Sequence, residues 1–238
     1  MNLNIPYMET DNKLLNDAYR IAAGDIVGNI VYYQNGLLTE EKPCMIAGLD
    51  YNTPWTRDTA INIWNALSIL SPEVSKNTLL AVLEEEEGNI YIGGQYWDSI
   101  IWMIGAREYC RFHKDDNFYR LAFEAGRNSV HRLEEDEFDE EDGLFRGPAV
   151  YGDGIAAYPD QYSKCPNQGS GILEWVDYPG NPVYPKGYGI PMKALSTNCV
   201  YFKAYEILAE MAHALGEPAK EFEEKAAAMK KDVNKNFW

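Results

Sequence analysis

Apolar residues recur at intervals of three and four along most of this chain, which is the spacing of one face of an α-helix. In the stretch 218–237 a single apolar stripe runs between Lys and Glu residues, and 117–134 has a similar stripe. The stripe in 218–237 consists of Phe222, Ala226, Met229, Val233 and Phe237. The pattern predicts seven helices, at about 11–33, 58–70, 72–86, 98–113, 117–134, 195–215 and 218–237.

The second, fourth and sixth of these predicted helices are apolar on nearly all sides. A helix of this kind must be covered on more than one side, whereas a one-faced helix coats a surface. Alternation of the two kinds is typical of antiparallel helical hairpins in two concentric layers. The sequence therefore predicts an all-α fold in which the N-terminal ends of the enclosed helices gather at one side.

The segment from about 135 to 194 is far longer than the usual connection inside a compact domain. It opens with an acidic run at 134–142, interpreted as solvated surface, and continues with many Gly, Pro and Tyr residues. Long loops within domains commonly carry binding residues. We expect a single domain over 1–238 in which this loop contacts substrate.

Charge and cysteine usage narrow the class of protein. The net charge of −16 argues against nucleic acid and anionic membranes as partners.

The cysteines lack C-x-x-C spacing and no apolar signal segment opens the chain, so reduced thiols in a cytoplasmic protein are expected. The four are Cys44, Cys110, Cys165 and Cys199, of which Cys110 and Cys199 are predicted to be small core residues.

The three histidines lack the paired spacing of metal ligands. They are His113, His131 and His213, and each is predicted to be a solvated residue on a helix surface. No nucleotide, dinucleotide, metalloprotease or serine-hydrolase motif is present. The sequence predicts neither a metal nor a cofactor.

A tryptophan and an acidic residue come directly before two of the enclosed helices, as W-T-R-D at 55–58 and Y-W-D at 96–98. An aspartate at a helix start accepts hydrogen bonds from unpaired backbone N–H groups and faces the positive end of the helix dipole. An indole beside a fixed carboxylate also suits a sugar ring, with its apolar face and its hydroxyl rim. Helix capping by Asp58 and Asp98, with Arg57 neutralising Asp58, is the alternative reading.

Asp153 is the strongest catalytic candidate, because flanking glycines leave its carboxyl group with little steric cover. An Asp-Gly turn is the alternative reading. Glycoside hydrolysis uses two carboxyl groups, one protonated and one ionised. Clustering of Asp153 with Asp58 and Asp98 would raise the pKa of one of them by mutual repulsion.

Five short motifs follow one another along the chain. They are P-W-T-R-D at 54–58, Y-W-D-S at 96–99, D-G-L-F at 142–145, G-D-G at 152–154 and L-S-T-N at 195–198. This ordered set resembles the six-hairpin, (α/α)6-toroid glycoside hydrolases. Within them it is most similar to glycoside hydrolase family 63, trehalases and the glucosidase part of glycogen-debranching enzymes.

The resemblance implies hydrolysis of α-linked glucosides or related oligosaccharides by an inverting mechanism, with Asp153 as the general acid. Full toroids have six hairpins, and this chain has three hairpins and one outer helix. The resemblance therefore implies an N-terminal half that lacks the family's catalytic base and exposes apolar faces suited to self-association. It places in the sugar pocket Trp55, Arg57, Asp58, Tyr96, Trp97, Asp98, Arg146, Tyr151 and Asn198.

Two other readings stay open. A chain without its base would act as a non-catalytic carbohydrate-binding fragment. A glycoside phosphorylase or a polysaccharide lyase would share the toroid, although a lyase would be expected to show basic residues for uronate carboxylates.

Overall fold

The computed structural model describes residues 3, 5–48, 50–94, 97–149 and 192–238. These residues are mostly helical, with seven helices and small antiparallel strand pairs, so the predicted predominance of helix is confirmed while the toroid stays a prediction. The helices are α1 Lys13–Gly28, α2 at 56–70, α3 Pro72–Ala81, α4 Trp97–Phe112, α5 Asp116–Glu137, α6 Leu195–Leu215 and α7 Lys220–Phe237.

Three short hairpins separate some of the helices in the described residues. Their strands are β1 Ile30–Tyr33 with β2 Lys42–Met45, β3 Leu83–Glu86 with β4 Asn89–Ile92, and β5 Phe138–Asp139 with β6 Leu144–Phe145. The predicted extension of the first helix to 33 and of the third to 86 was therefore wrong. Ile30 to Tyr33 are β-branched and aromatic, which favours a strand. Glu87 and Gly88 have φ of 52° and 82°, as a two-residue hairpin turn requires.

The chain packs as two compact units. One consists of Met1–Gly94 and Ile101–Ala125, the other of Gln95–Ile100 and Gly126–Trp238. The predicted single domain over 1–238 stays a prediction.

The core of the first unit forms around Trp102 of α4. Its indole is fully buried, and Nε1 donates a hydrogen bond to the carbonyl oxygen of Leu79 in α3 at 3.2 Å. Phe118 of α5 packs against it, with ring centroids 6.3 Å apart. Helix α4 also passes so close to α2 that an ideal Cβ built on Gly105 lies 2.8 Å from Ala60 Cα. The predicted enclosure of α4 is confirmed by the burial of Ile100, Ile101, Trp102, Met103 and Ala106.

Helix α2 is not enclosed as predicted. It is α-helical over Thr56–Asn62, π-helical over Ile63–Leu67 and α-helical again over Ser68–Leu70. A π-helical turn contains one more residue than an α-helical turn and rotates the side chains that follow it. Ile63 and Leu67 are buried, while Trp64 and Ile69 are 50% and 54% exposed.

Helix α1 has an exposed apolar surface. None of its residues is buried, and its exposed large apolar side chains are Leu14, Leu15, Ile21 and Val27. The predicted self-association requires exposed apolar residues such as these. The association itself stays a prediction.

The second unit contains the antiparallel pair α6 and α7. Gly216 adopts the left-handed conformation, φ 72°, and the Glu217 N–H bonds the carbonyl of Ala212 at 2.9 Å, which ends α6. The predicted bounds 195–215 are confirmed. Helix α7 buries Phe222, Ala226 and Met229, as its apolar stripe predicted. Phe145 of β6 stacks on Tyr201 of α6, with ring centroids 3.6 Å apart.

Some predictions about individual side chains were wrong. Cys199 is exposed and Cys110 is only partly buried, whereas Cys44 is buried; all three are free thiols, and Cys165 lies outside the described residues. Cys199 falls on the exposed side of α6, because its neighbours Thr197 and Asn198 face the interior.

The predicted solvated surfaces also need correction. His113 follows α4 and is half-buried, with Nε2 2.6 Å from the carbonyl oxygen of Ser68. In the acidic run, Glu137 is 5% exposed, because it ends α5 where the chain turns into β5. No helix among the described residues is long and apolar enough to cross a membrane.

Candidate functional site

Trp55 forms an exposed aromatic corner with Tyr51. Trp55 precedes α2 in extended conformation, and its carbonyl accepts the first helical hydrogen bond, from the Thr59 N–H at 2.8 Å. The two rings meet edge to face, with centroids 6.4 Å apart and an interplanar angle of 81°. Trp55 is 44% exposed and Tyr51 is 51% exposed. A large part of the aromatic surface is therefore open to a ligand.

Arg57 and Asp58 form an ion pair in the first turn of α2. Arg57 Nε lies 3.7 Å from Asp58 Oδ2, and the two side chains are 21% and 32% exposed. The N-cap position belongs to Trp55, so the alternative in which Asp58 is the capping residue was wrong. The carboxylate still lies in the first turn, where the helix dipole favours negative charge.

Thr56 fixes this helix start to the neighbouring hairpin. Its Oγ1 donates to the carbonyl oxygen of Gly93 at 2.9 Å, and the residue is buried. A side chain at Gly93 would collide with the backbone oxygen of Val82, 2.8 Å from an ideal Cβ. The start of α2, which carries Trp55 and the ion pair, is thus attached to the residue that follows the β3–β4 hairpin.

The second predicted helix start is described only in part. Asp98 lies in the first turn of α4 and is 8% exposed. Tyr96, Tyr151 and Asp153 lie outside the described residues, and only the backbone of Trp97 is described. Asp98 belongs to the second unit and Trp55 to the first, so their convergence on one sugar stays a prediction.

Arg146 belongs to a charged cluster that joins the β5–β6 hairpin to the segment before α6. Its Nη2 lies 3.0 Å from Asp139 Oδ2, and Lys193 Nζ lies 2.7 Å from Asp139 Oδ2 and 2.6 Å from Asp142 Oδ2. The Lys193 hydrogen bond is the main reason that the pKa of Asp139 falls below its usual value. Burial works to lower the pKa of Lys193, but the hydrogen bonds that its ammonium donates to Asp139 and Asp142 raise the pKa overall.

Replacing Lys193 by methionine is expected to lower the free energy of unfolding by about 1 kcal/mol at neutral pH. A lowered pKa means that Asp139 contributes stability above its ordinary pKa and loses it as the pH falls through the lowered value. The difference between wild type and Lys193→Met should therefore shrink in acid, as measured by urea unfolding at neutral and acidic pH. Lys203→Met, which breaks an exposed pair with Glu206, is the control and should change little. A difference that persists undiminished in acid would contradict the charge-pair explanation.

Asn198 holds the backbone of Phe145. The residue is fully buried, and its Oδ1 accepts from the Phe145 N–H at 2.8 Å. Its Nδ2 donates to the carbonyl oxygens of Phe145 and Ala194, at 3.1 Å and 3.0 Å. These bonds show a structural role, and the predicted contact with substrate stays a prediction.

A second group of polar side chains meets between α5, α6 and α7. Glu134 of α5 lies 2.8 Å from Lys225 Nζ and accepts a hydrogen bond from Tyr205 Oη at 2.5 Å. Glu221 of α7 lies 2.6 Å from Lys225 Nζ and 2.9 Å from His131 Nε2. His131, Glu134 and Glu221 each offer a ligand atom within 4.8 Å of the others, which makes them a possible metal-ligating set.

Sequence reasoning missed both Tyr51 and this second group. Tyr51 lies only four positions before Trp55, the first residue of the W-T-R-D motif, and this closeness in the chain was a usable signal. His131 and Glu134 share a helix face by their spacing, as do Glu221 and Lys225. That the two faces meet is visible only in the folded chain.

Comparisons of this chain with protein-family models, with curated proteins and with solved structures found no match.

Proposed function

We propose that this protein is a carbohydrate-active domain of the glycoside-hydrolase type, which binds and hydrolyses α-linked glucosides or related oligosaccharides in the cytoplasm. The observation that carries the proposal is the aromatic corner of Trp55 and Tyr51 beside the Arg57–Asp58 pair. The proposed chemistry is inverting acid–base hydrolysis with Asp153 as the general acid.

The corner supplies the two kinds of contact that a sugar needs. The exposed indole of Trp55 offers a flat apolar surface to the C–H face of a pyranose ring. Arg57 and Asp58, both only partly buried, offer donors and acceptors to the hydroxyl rim. Hydrogen bonds that involve a charged group are stronger than neutral ones, which adds orientation to the stacking.

Hydrolysis adds a requirement that binding does not. An inverting mechanism needs a second carboxylate about 6.5–9.5 Å from the acid, so that a water molecule fits between sugar and base. Asp153 provides the acid in this proposal, and the base is unassigned.

The second candidate function is carbohydrate binding without hydrolysis. Tyr51, Trp55, Arg57 and Asp58 all come from one short segment, so sugar binding there needs no catalytic carboxyl group. If sugar binding does not require Asp153, this observation favours a binding module over a hydrolase.

Replacing Trp55 by alanine is expected to weaken maltotriose binding at least tenfold, equivalent to about 1.4 kcal/mol, because the stacking surface is lost. Isothermal titration calorimetry measures the change. Trp64→Ala is the matched control, since Trp64 is 50% exposed and lies outside the corner. Equal affinities for the wild type and Trp55→Ala would reject the corner as a sugar site.

Comparison of the wild type with Asp153→Asn distinguishes the two candidate functions. Turnover of an aryl α-glucoside that is lost in Asp153→Asn, with maltotriose binding retained, supports the hydrolase. Binding without turnover that survives Asp153→Asn supports the binding module.

A further inference from the structure

The second unit contains a cavity of about 590 Å³ that no predicted site residue lines. This volume falls within the range of small-molecule sites, about 300–1,000 Å³. Helices α5, α6 and α7 and the β5–β6 hairpin form its walls. The carboxylates and the lysine that line it are Glu134, Glu135, Glu140, Asp232 and Lys225.

Lys225 lines this cavity, and its ammonium is already paired with carboxylates. It bridges the carboxylates of Glu134 and Glu221, at 2.8 Å and 2.6 Å, and lies over the Tyr205 ring, 5.9 Å from its centroid. Burial works to lower the pKa of Lys225, but the hydrogen bonds to Glu134 and Glu221 raise it overall. Lys225 therefore remains charged, and its charge is offset by the two glutamates.

Three other carboxylates of the lining have no such ion pair with a basic side chain among the described residues. Among the described residues, no Lys, Arg or His nitrogen lies within 4.0 Å of Glu135, Glu140 or Asp232. Four carboxylates in total line the cavity against one lysine. The cavity therefore favours a positively charged occupant.

The apolar part of the lining restricts the occupant further. Phe138, Ala228 and Met229 line the cavity together with the Tyr205 ring. A hydrated inorganic ion gains nothing from these side chains, whereas methylene groups packed on them are removed from water. Aromatic faces also attract ammonium groups.

We propose that this cavity binds an aliphatic polyamine, with ammonium groups on the free carboxylates and methylene groups on the apolar wall. The Lys225 ammonium between Glu134 and Glu221 already shows how one ammonium group fits the polar side. A divalent metal at His131, Glu134 and Glu221 would have to displace this ammonium, which disfavours a metal occupant.

The test is calorimetric titration of the full chain with spermidine. We expect saturable binding that weakens at least tenfold in Asp232→Asn, because one of the unpaired carboxylates loses its charge. Glu224→Gln is the matched control: it removes the same charge from the same helix, at a residue outside the cavity lining, and should leave the affinity unchanged. Ala228→Arg places a large cationic side chain in the cavity. It should abolish spermidine binding by steric exclusion and charge repulsion, whether or not Asp232 is present.

Three results would overturn the proposal. Equal weakening in Asp232→Asn and Glu224→Gln would show non-specific attraction to an acidic protein. Undiminished binding in Ala228→Arg would place spermidine elsewhere. Stoichiometric binding of Zn²⁺ that requires His131, with no spermidine binding, would assign the cavity to a metal. Trp55→Ala should leave spermidine binding intact, so failure of the sugar proposal and failure of this one are distinguishable.

Discussion

Replacing Gly105 by alanine is expected to destabilise the protein by about 2 kcal/mol net, although alanine is the better helix former. Gly105 lies inside α4 at the contact with α2, where an added Cβ would meet Ala60 Cα at 2.8 Å and the Ala60 carbonyl oxygen at 3.0 Å. The obstacle is backbone, which cannot rotate away as a side chain would. The two helices must move apart, and overpacking of this kind costs about 1–3 kcal/mol or more.

The helix propensity of alanine works in the opposite direction, by about 1 kcal/mol. The sign of the change therefore reports directly on the close approach of α2 and α4. Gly24→Ala is the matched control, because Gly24 lies inside α1 and an added Cβ meets nothing within 4 Å. We expect Gly24→Ala to stabilise slightly in urea unfolding. Stabilisation by Gly105→Ala as well would show that the two helices do not touch at this point.

Replacing Asn198 by alanine is also expected to cost about 3 kcal/mol, because it leaves buried backbone groups of Phe145 without partners. The N–H and the carbonyl of Phe145 both depend on the Asn198 amide, and Phe145 itself is fully buried against Tyr201. Asn198→Asp should be no better, since a carboxylate would face the carbonyl oxygens of Phe145 and Ala194.

The measurement is urea unfolding combined with maltotriose titration. Asn234→Ala is the control, because Asn234 is an exposed helical asparagine whose Nδ2 donates to the Lys230 carbonyl within the same helix, and its loss should change stability little. A large loss of sugar affinity in Asn198→Ala with unchanged stability would refute the structural role and support the predicted contact with substrate.

The apolar pattern was sufficient to locate helices whose ends carry explicit signals. Ser71 accepts from the Val74 N–H and Pro72 follows it, so α3 begins where the sequence indicated. Gly216 ends α6 for the same kind of local reason. These signals work because capping groups act on backbone within a few residues of themselves.

The same pattern failed where helix and strand compete. Residues 83–86 continue an apolar and acidic stretch that suits a helix, yet they pair with 89–92 in a hairpin. Pairing is decided by residues on both strands and by the turn at Glu87-Gly88, so it is a property of two segments together. The exposure of Trp64 escaped the pattern as well, because a helical periodicity assumes a constant turn and the π-helical turn is not constant.

The candidate sites also differ in how far sequence alone could predict them. Trp55 and the Arg57–Asp58 pair were indicated by sequence, because an aromatic residue directly before a helix start and the polar residues of its first turn are neighbours in the chain, whereas Tyr51 was missed. The cavity lined by Glu134, Tyr205, Lys225 and Asp232 was not indicated, because these residues come from three helices. No local spacing specifies which helix faces will meet.

By itself the sequence determined that this protein is mostly helical, where most of its helices begin and end, and that a tryptophan and a charged pair open α2. These properties follow from interactions between residues close together in the chain. Tertiary structure alone decided that Asn198 holds Phe145, that Gly105 contacts Ala60, and that carboxylates of separate elements surround one cavity. Such contacts depend on which side chains distant segments bury against each other, and a single pattern of hydrophobic and polar positions is compatible with many such pairings.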